Sequence, residues 1–197
     1  LVFAGNGIKA FLFDELKPTP ELSFAVRLLK ASAGVVITAS HNPKEYNGYK
    51  VYGEDGAQMA LDGTDAVLRE INAITDISSV NFISRKEAED KGLLKIIGKS
   101  VDDEYIKLLK NLSVNNRVVD EVSGFFKVVY TPLHGTGNKL VGRILRETGL
   151  KNLIIVKEQQ NPDPDFKTVK SPNPEDRNAL TLAIELAKSE NADLVIA

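Results

Sequence analysis

Hydrophobic positions along this chain follow two periods, and the periods place most of its elements. Short apolar runs bounded by turn residues read as buried strands. They fall at Ile8 to Phe13, Val35 to Ile37, Tyr49 to Tyr52, Phe126 to Tyr130, Leu153 to Val156 and Leu194 to Ile196. Between them apolar residues recur every three or four positions, the spacing of one helix face. Leu22, Ala25, Val26 and Leu29 form one such stripe. Thr19 is its expected cap, with Pro20 at the first helical position, where a missing N–H costs nothing. Asp62 is expected to cap a second helix with an inner face of Ala66, Val67, Ile71 and Ile74. Ser100 should open a third, with an acidic first turn (Asp102-Asp103-Glu104) and a stripe of Tyr105, Leu108, Leu109 and Leu112. A fourth follows Gly135-Thr136-Gly137, is faced by Leu140, Val141, Ile144 and Leu145, and stops at Gly149. Asn173, followed by Pro174, is expected to begin a fifth, faced by Leu180, Ala183, Ile184 and Ala187. Residues 75–99 read as irregular and charged, with one short helix at 84–91, and 113–124 as a linker or domain-crossing segment.

The alternation of strand and helix predicts an α/β fold. From residue 126 onward the order is β-α-β-α-β, which favours a parallel sheet with right-handed crossovers. A length of 197 residues allows one domain or two small ones, and the change of pattern near residue 122 suggests two. Both ends are apolar. Leu1-Val2-Phe3-Ala4-Gly5-Asn6-Gly7 reads as the last turn of a helix with a glycine stop, and Asp193 to Ala197 as a buried strand with nothing after it. The expectation is a fragment of a longer protein.

Composition narrows the chemistry more than the fold. The chain has no cysteine, which removes disulfides, a thiolate nucleophile and any Cys-ligated metal. The only two histidines are His41 and His134. Twenty-five basic against 27 acidic residues give a net charge of −2, without the basic excess that broad nucleic-acid binding needs. No apolar run approaches the roughly 20 residues that span a bilayer. A soluble, cytoplasmic protein with neither nucleic acid nor membrane as partner is expected.

The densest chemistry lies in Thr38-Ala39-Ser40-His41-Asn42-Pro43, continuing through Lys44-Glu45-Tyr46-Asn47-Gly48-Tyr49-Lys50. A buried strand ends there and delivers a hydroxyl, an imidazole and a carboxamide, at the kind of strand end where α/β sheets hold ligands. Ser40 could be an activated nucleophile or phosphate carrier; equally, the segment could be a polar turn whose Ser and Asn bond their own backbone. Thr131-Pro132-Leu133-His134-Gly135-Thr136-Gly137 could expose backbone N–H groups to an anion at a helix start. It lacks the spacing of a P-loop or a dinucleotide fold, so a tight turn needing glycine for close packing is the favoured reading, with His134 facing a cleft or capping the turn. Asp163 and Asp165 could offer oxygen ligands to a cation, but their neighbouring prolines favour a solvated turn.

The Ser40 segment, T-A-S-H-N-P followed by Y-N-G-Y-K, resembles the phosphoserine loop of the α-D-phosphohexomutases, the phosphoglucomutases and phosphomannomutases. Lys17-Pro18-Thr19-Pro20, Tyr52 to Gln58, Val129 to Gly137 and Ser171 to Glu175 are similar to further segments of that family, so the resemblance covers most of the chain. It implies three-layer α/β/α sandwich domains with mixed or parallel sheets, the first domains of a four-domain architecture. Residues 1–122 would be domain I, N-terminally truncated and carrying the phosphoserine loop. Residues 123–197 would be part of domain II, ending before the metal-binding loop. The implied reaction interconverts hexose 1-phosphate and hexose 6-phosphate, most simply of glucose, through a phosphoserine and a bisphosphorylated sugar. Mg²⁺ and glucose 1,6-bisphosphate are the implied cofactor and activator, and a sugar phosphate the partner. Ser40 matches the phosphoserine and, through its phosphoryl oxygen, one metal ligand. His41 matches the histidine beside it. Lys50 matches a lysine that either assists proton transfer or anchors charge. The family's D-x-D-x-D-R metal loop is absent from these residues, and the fragment alone is expected to be inactive. A phosphomannomutase, a phosphopentomutase-like enzyme and a non-catalytic sugar-phosphate-binding homologue are the alternatives.

Overall fold

Strands and helices alternate from end to end in the computed structural model, which describes residues 1–197. Backbone contacts divide them into two units, residues 1–35 with 50–102, and residues 36–49 with 103–197.

In the first unit a single helical turn, α1 (Val2–Gly5), precedes β1 (Ala10–Phe13). β1 pairs in parallel with β4 (Leu94–Ile97), Phe13 lying opposite Ile97. β4 falls inside the stretch expected to be irregular. Four residues interrupted by Lys95 carry too little periodicity to be read alone, and the ladder to β1 makes them a strand. α2 (Thr19–Leu28) has Pro18, not Thr19, at its cap position and no side-chain cap. Ala25 of α2 meets Ile97 of β4 and Val101 of α5 (Lys99–Lys110) in this unit's core, with Phe11, Phe13, Phe24 and Leu29 packed around them. α4 (Arg85–Asp90) is the expected short helix, and Ser84 Oγ accepts from the Glu87 N–H at its start.

Two expectations about helix faces fail, and so does one about a linker. α3 (Leu61–Ala73) begins at Leu61 with Ala60 at its cap, and none of its residues is buried. Ile71 and Ile74 stand half in solvent. In α5 the buried residues are Val101 and Ile106, whereas Leu108, and Leu112 just past the helix end, are exposed. The helix starts before Ser100 and turns Val101 into the core, so its buried face is rotated from the expected stripe. The expected linker holds α6 (Asn116–Val122), where Asn115 Oδ1 accepts from the Val118 N–H.

β2 (Ala33–Thr38) and β3 (Gly48–Gly53) form a two-stranded sheet. In the second unit β5 (Lys127–Tyr130) is the middle strand of a parallel sheet in the order β6-β5-β7, with β6 at Asn152–Ile155 and β7 at Leu194–Ile196. Val129 lies opposite Ile154 on one side and Val195 on the other. Val128 and Val129 are fully buried, as a parallel strand covered on both faces should be. α7 (Asn138–Glu147) and α8 (Thr181–Glu190) are the crossovers. Val129 and Val156 pack with Ala183 and Ala187 of α8. α8 begins well after Asn173, whose Oδ1 instead accepts from the Glu175 N–H in a turn. That local bond gives the backbone an alternative to a helix start.

Candidate active site

Ser40 stands two residues beyond the end of β2 in the left-handed region, at φ +59°. An L-residue adopts that conformation at a cost of about 1–2 kcal/mol, and such strain clusters at functional sites. The loop holds the conformation through its own bonds. Thr38 Oγ1 accepts from the Ser40 N–H at 2.9 Å, and the Asn42 N–H donates to the Ala39 carbonyl. A 3₁₀ turn, Lys44–Tyr46, closes the far limb, where the Tyr46 and Asn47 N–H groups donate to the Pro43 and Lys44 carbonyls. The hydroxyl that supports the backbone is therefore Thr38's. Ser40 Oγ is exposed and lies 3.4 Å from His41 Nδ1, a long contact that lets the imidazole share the hydroxyl proton. Lys50 lies on β3, the strand paired with β2.

The segment after β5 is a tight turn, as favoured from its sequence, but its strain is not on the glycines. Leu133 and His134 carry φ of +47° and +61°, closed by the Gly135 N–H donating to the Pro132 carbonyl at 2.7 Å. Two consecutive left-handed central residues are the mark of a type I′ turn. The glycines serve close approach. A Cβ on Gly137 would sit 2.6 Å from the Tyr130 hydroxyl, and one on Gly135 2.9 Å from the Pro132 carbonyl oxygen.

His134 is buried and both ring nitrogens are engaged, Nδ1 with the Asn161 carbonyl and Nε2 with Thr168 Oγ1, each at 2.9 Å. The chain of bonds around it has a direction. The Leu133 N–H can only donate, and does so to Thr131 Oγ1. Thr131 donates to Gln159 Oε1 at 2.6 Å, and Gln159 Nε2 donates to Thr168 Oγ1 at 3.1 Å. Thr168 then gives its proton to His134 Nε2, and Nδ1–H ends the chain on the Asn161 carbonyl, which can only accept. Thr131 and Gln159 have no exposure, and the network leaves each of its polar groups partnered. His134 thus organises the loop after β6, resolving the alternatives left open for it. It lies edge-on to Phe166, 6.4 Å between ring centres.

Asp163 and Asp165 are committed elsewhere. Asp163 Oδ1 accepts from the Asp165 N–H, and Oδ2 lies 3.6 Å from Lys167 Nζ. Asp165 Oδ1 accepts from Lys44 Nζ at 2.6 Å. No group of three or more His, Asp or Glu side chains in this chain could hold a metal ion. Ser40 contributes at most one oxygen, so these residues do not by themselves form a Mg²⁺ site.

One buried ionisable cluster lies in the first unit and was not anticipated. Lys17 Nζ, nearly buried, donates to Asp102 Oδ2 at 2.7 Å and Glu15 Oε1 at 3.1 Å, with Asp14 at 3.9 Å. Glu21 on α2 has no exposure at all. Burial, then the neighbouring Asp102 carboxylate, push its carboxyl up to about 8, against the opposing pull of Lys17. The available signal was a glutamate four residues before Ala25, on the helix face read as apolar.

The elements and this serine loop define an α/β protein with a strained, exposed hydroxyl at a strand end. Comparison with known proteins makes the class specific. Residues 1–78 match the model of the phosphoglucomutase/phosphomannomutase alpha/beta/alpha domain I, and residues 103–197 that of domain II. The chain belongs to the phosphoglucomutase/phosphomannomutase family. It is 43% identical over 196 residues to a phosphoglucomutase of Staphylococcus haemolyticus (strain JCSC1435), covering 100% of this chain and 35% of that protein. It is 42% identical to a phosphoglucomutase of Staphylococcus aureus (strain USA300), covering 99% of this chain and 34% of that protein. The chain therefore spans about a third of the length of these curated relatives. Among solved structures, a Thermus thermophilus protein assigned by its name to the phosphomannomutases superposes with a TM-score of 0.71 at 26% identity, over 98% of this chain and 40% of its own. The open form of a Paramecium phosphoglucomutase, parafusin, shares the fold at a TM-score of 0.64 and 19% identity, over 92% of this chain and 35% of its own. No helix is long and apolar enough to cross a membrane.

Proposed function

We propose that this chain supplies the phosphoryl-carrying serine of a phosphohexomutase that interconverts glucose 1-phosphate and glucose 6-phosphate. The observation that supports this best is Ser40 itself, an exposed hydroxyl held left-handed at the end of β2 with an imidazole nitrogen 3.4 Å away. The names of the Staphylococcus relatives favour glucose. The phosphorylated Ser40 would give its phosphoryl group to the free hydroxyl of the sugar phosphate. The P–Oγ bond breaks, a P–O bond to the sugar forms, and the hydroxyl proton passes to a base. After the bisphosphate has turned over, Ser40 Oγ takes the other phosphoryl group, and the sugar oxygen released regains a proton. His41 is the group positioned to hold the Ser40 proton when the serine is unphosphorylated. Lys50 would supply positive charge to the transferring group or assist proton movement. Positioning and charge neutralisation carry most of the catalysis of phosphoryl transfer. The residues of this chain provide no complete cation site, so metal dependence would rest on residues outside it. A cytoplasmic setting belongs to the same proposal.

Phosphate mapping tests it. The intact protein incubated with radiolabelled glucose 1,6-bisphosphate should become labelled at Ser40, and the Ser40→Ala variant should not. Labelling elsewhere, or unchanged mutase activity in Ser40→Ala, would overturn the assignment. The 197-residue chain alone is expected to give no turnover of glucose 1-phosphate. A mannose phosphate preference, suggested by the Thermus neighbour's name, would appear as a higher kcat/KM for mannose 1-phosphate.

A further inference from the structure

The far limb of the Ser40 loop is tethered across 121 residues of sequence. Lys44, first residue of the 3₁₀ turn that closes the loop, donates to Asp165 Oδ1 at 2.6 Å. Both residues lie in the second unit. Asp165 stands on a built platform. Its own N–H is held by Asp163 Oδ1, the Phe166 N–H donates to the Asp163 carbonyl, and Asn161 and Thr168 on either side are bonded to the buried ring of His134. The serine loop, in contrast, is exposed from Ser40 to Asn47 and holds its shape with a few local bonds. Lys44 and Asp165 are each more than half exposed, so the pair adds little to the stability of the whole protein. A small bias still shifts the opening of an exposed loop held by local bonds alone.

We propose that Asp165 is a positioning residue for Ser40, acting through Lys44. The platform fixes the carboxylate, the carboxylate holds the ammonium, and the ammonium fixes the limb that returns the chain from the strained serine to β3. The pair also occupies the only positive side chain between Ser40 and Asn47, keeping it directed at the platform when Ser40 becomes a phosphodianion. This inference rests on the phosphoserine reading for its functional consequence but not for the tether.

The test has two arms. Hydrogen exchange is followed in peptides covering residues 38–49 of wild type, Asp165→Asn, Lys44→Gln and the exchanged pair Lys44→Asp with Asp165→Lys. The Asn42, Tyr46 and Asn47 amides are the probes. Each single variant should exchange roughly two- to five-fold faster in this segment with β5 unchanged, and the exchanged pair should return toward wild type. In the intact enzyme the same variants should slow labelling of Ser40 by glucose 1,6-bisphosphate by a similar factor, again recovered in the exchanged pair. Single variants that match wild type in exchange, or an exchanged pair that is no better than either single, would overturn the tether. If wild type is not labelled at Ser40, the phosphoserine reading fails, and the exchange arm still decides the tether.

Discussion

Glu21 offers the most direct test of how this sequence builds its interior. Its carboxyl has no contact with solvent and faces Lys17, Asp102 and Asp14, two carboxylates against one ammonium. Neither Glu21 oxygen receives a hydrogen bond, so the group is satisfied best when protonated and donating to Asp102. In the unfolded chain it ionises near 4.5, and in the folded protein at about 8. The folded state therefore holds a proton that the unfolded state has lost throughout that window. The stabilisation is complete below the unfolded value and disappears as pH rises through the folded one. At about 1.4 kcal/mol per unit the full loss is about 5 kcal/mol. Because Asp102 shares the proton, we expect about 3–5 kcal/mol. Lys17, whose value is raised above 10.5, loses its contribution only at higher pH and leaves this window alone. About 2–3.5 kcal/mol of the Glu21 loss falls above pH 5.5, and urea denaturation at pH 5.5, 7 and 9 should show wild type weakening steadily by that amount. Glu21→Gln, whose amide can donate to Asp102 at every pH, should lack that component. Parallel pH slopes for the two proteins would refute the reasoning.

Three further outcomes follow from the geometry. Ser40→Gly should raise stability by about 1 kcal/mol in thermal or urea denaturation, because glycine adopts φ +59° without strain, while removing the phosphoryl acceptor. Gly56→Ala should cost more than about 1–2 kcal/mol: φ is +76° and a Cβ would lie 2.6 Å from the Ser23 carbonyl oxygen. Gln159→Leu should cost about 2–4 kcal/mol and raise hydrogen exchange across residues 158–170, since it strips partners from two hydroxyls, Thr131 and Thr168.

The sheet of the second unit was legible because each of its strands holds at least three consecutive apolar residues, against two in β4, and each crossover helix carries an apolar stripe. β4 was not, because its four residues become a strand only through β1. The helix faces misread on α3 and α5 failed for a related reason: periodicity reports which side of a helix is apolar, not whether anything covers it. Ser40 and His41 could be singled out from sequence because strand, hydroxyl and imidazole are consecutive. The left-handed backbone of Ser40 could not, since it depends on Thr38 and on the loop's closing turn. Lys44 and Asp165 were each visible, yet their pairing is a property of the folded chain. So was the burial of Glu21, which is charged by composition and interior by position.

The directed bonds around His134 have a consequence for how this protein can be probed. Its proton sits on Nδ1 and its Nε2 is occupied, so the ring has no lone pair to offer a reagent. His41 is exposed on the Ser40 loop. A chain with two imidazoles thus presents only one to an electrophile such as diethyl pyrocarbonate, and that one lies beside the serine. Imidazole acylation in this chain, read apart from the lysine and tyrosine side chains that the reagent also attacks, becomes a single-site report on the Ser40 neighbourhood, and reaction at the second ring marks the loss of the fold.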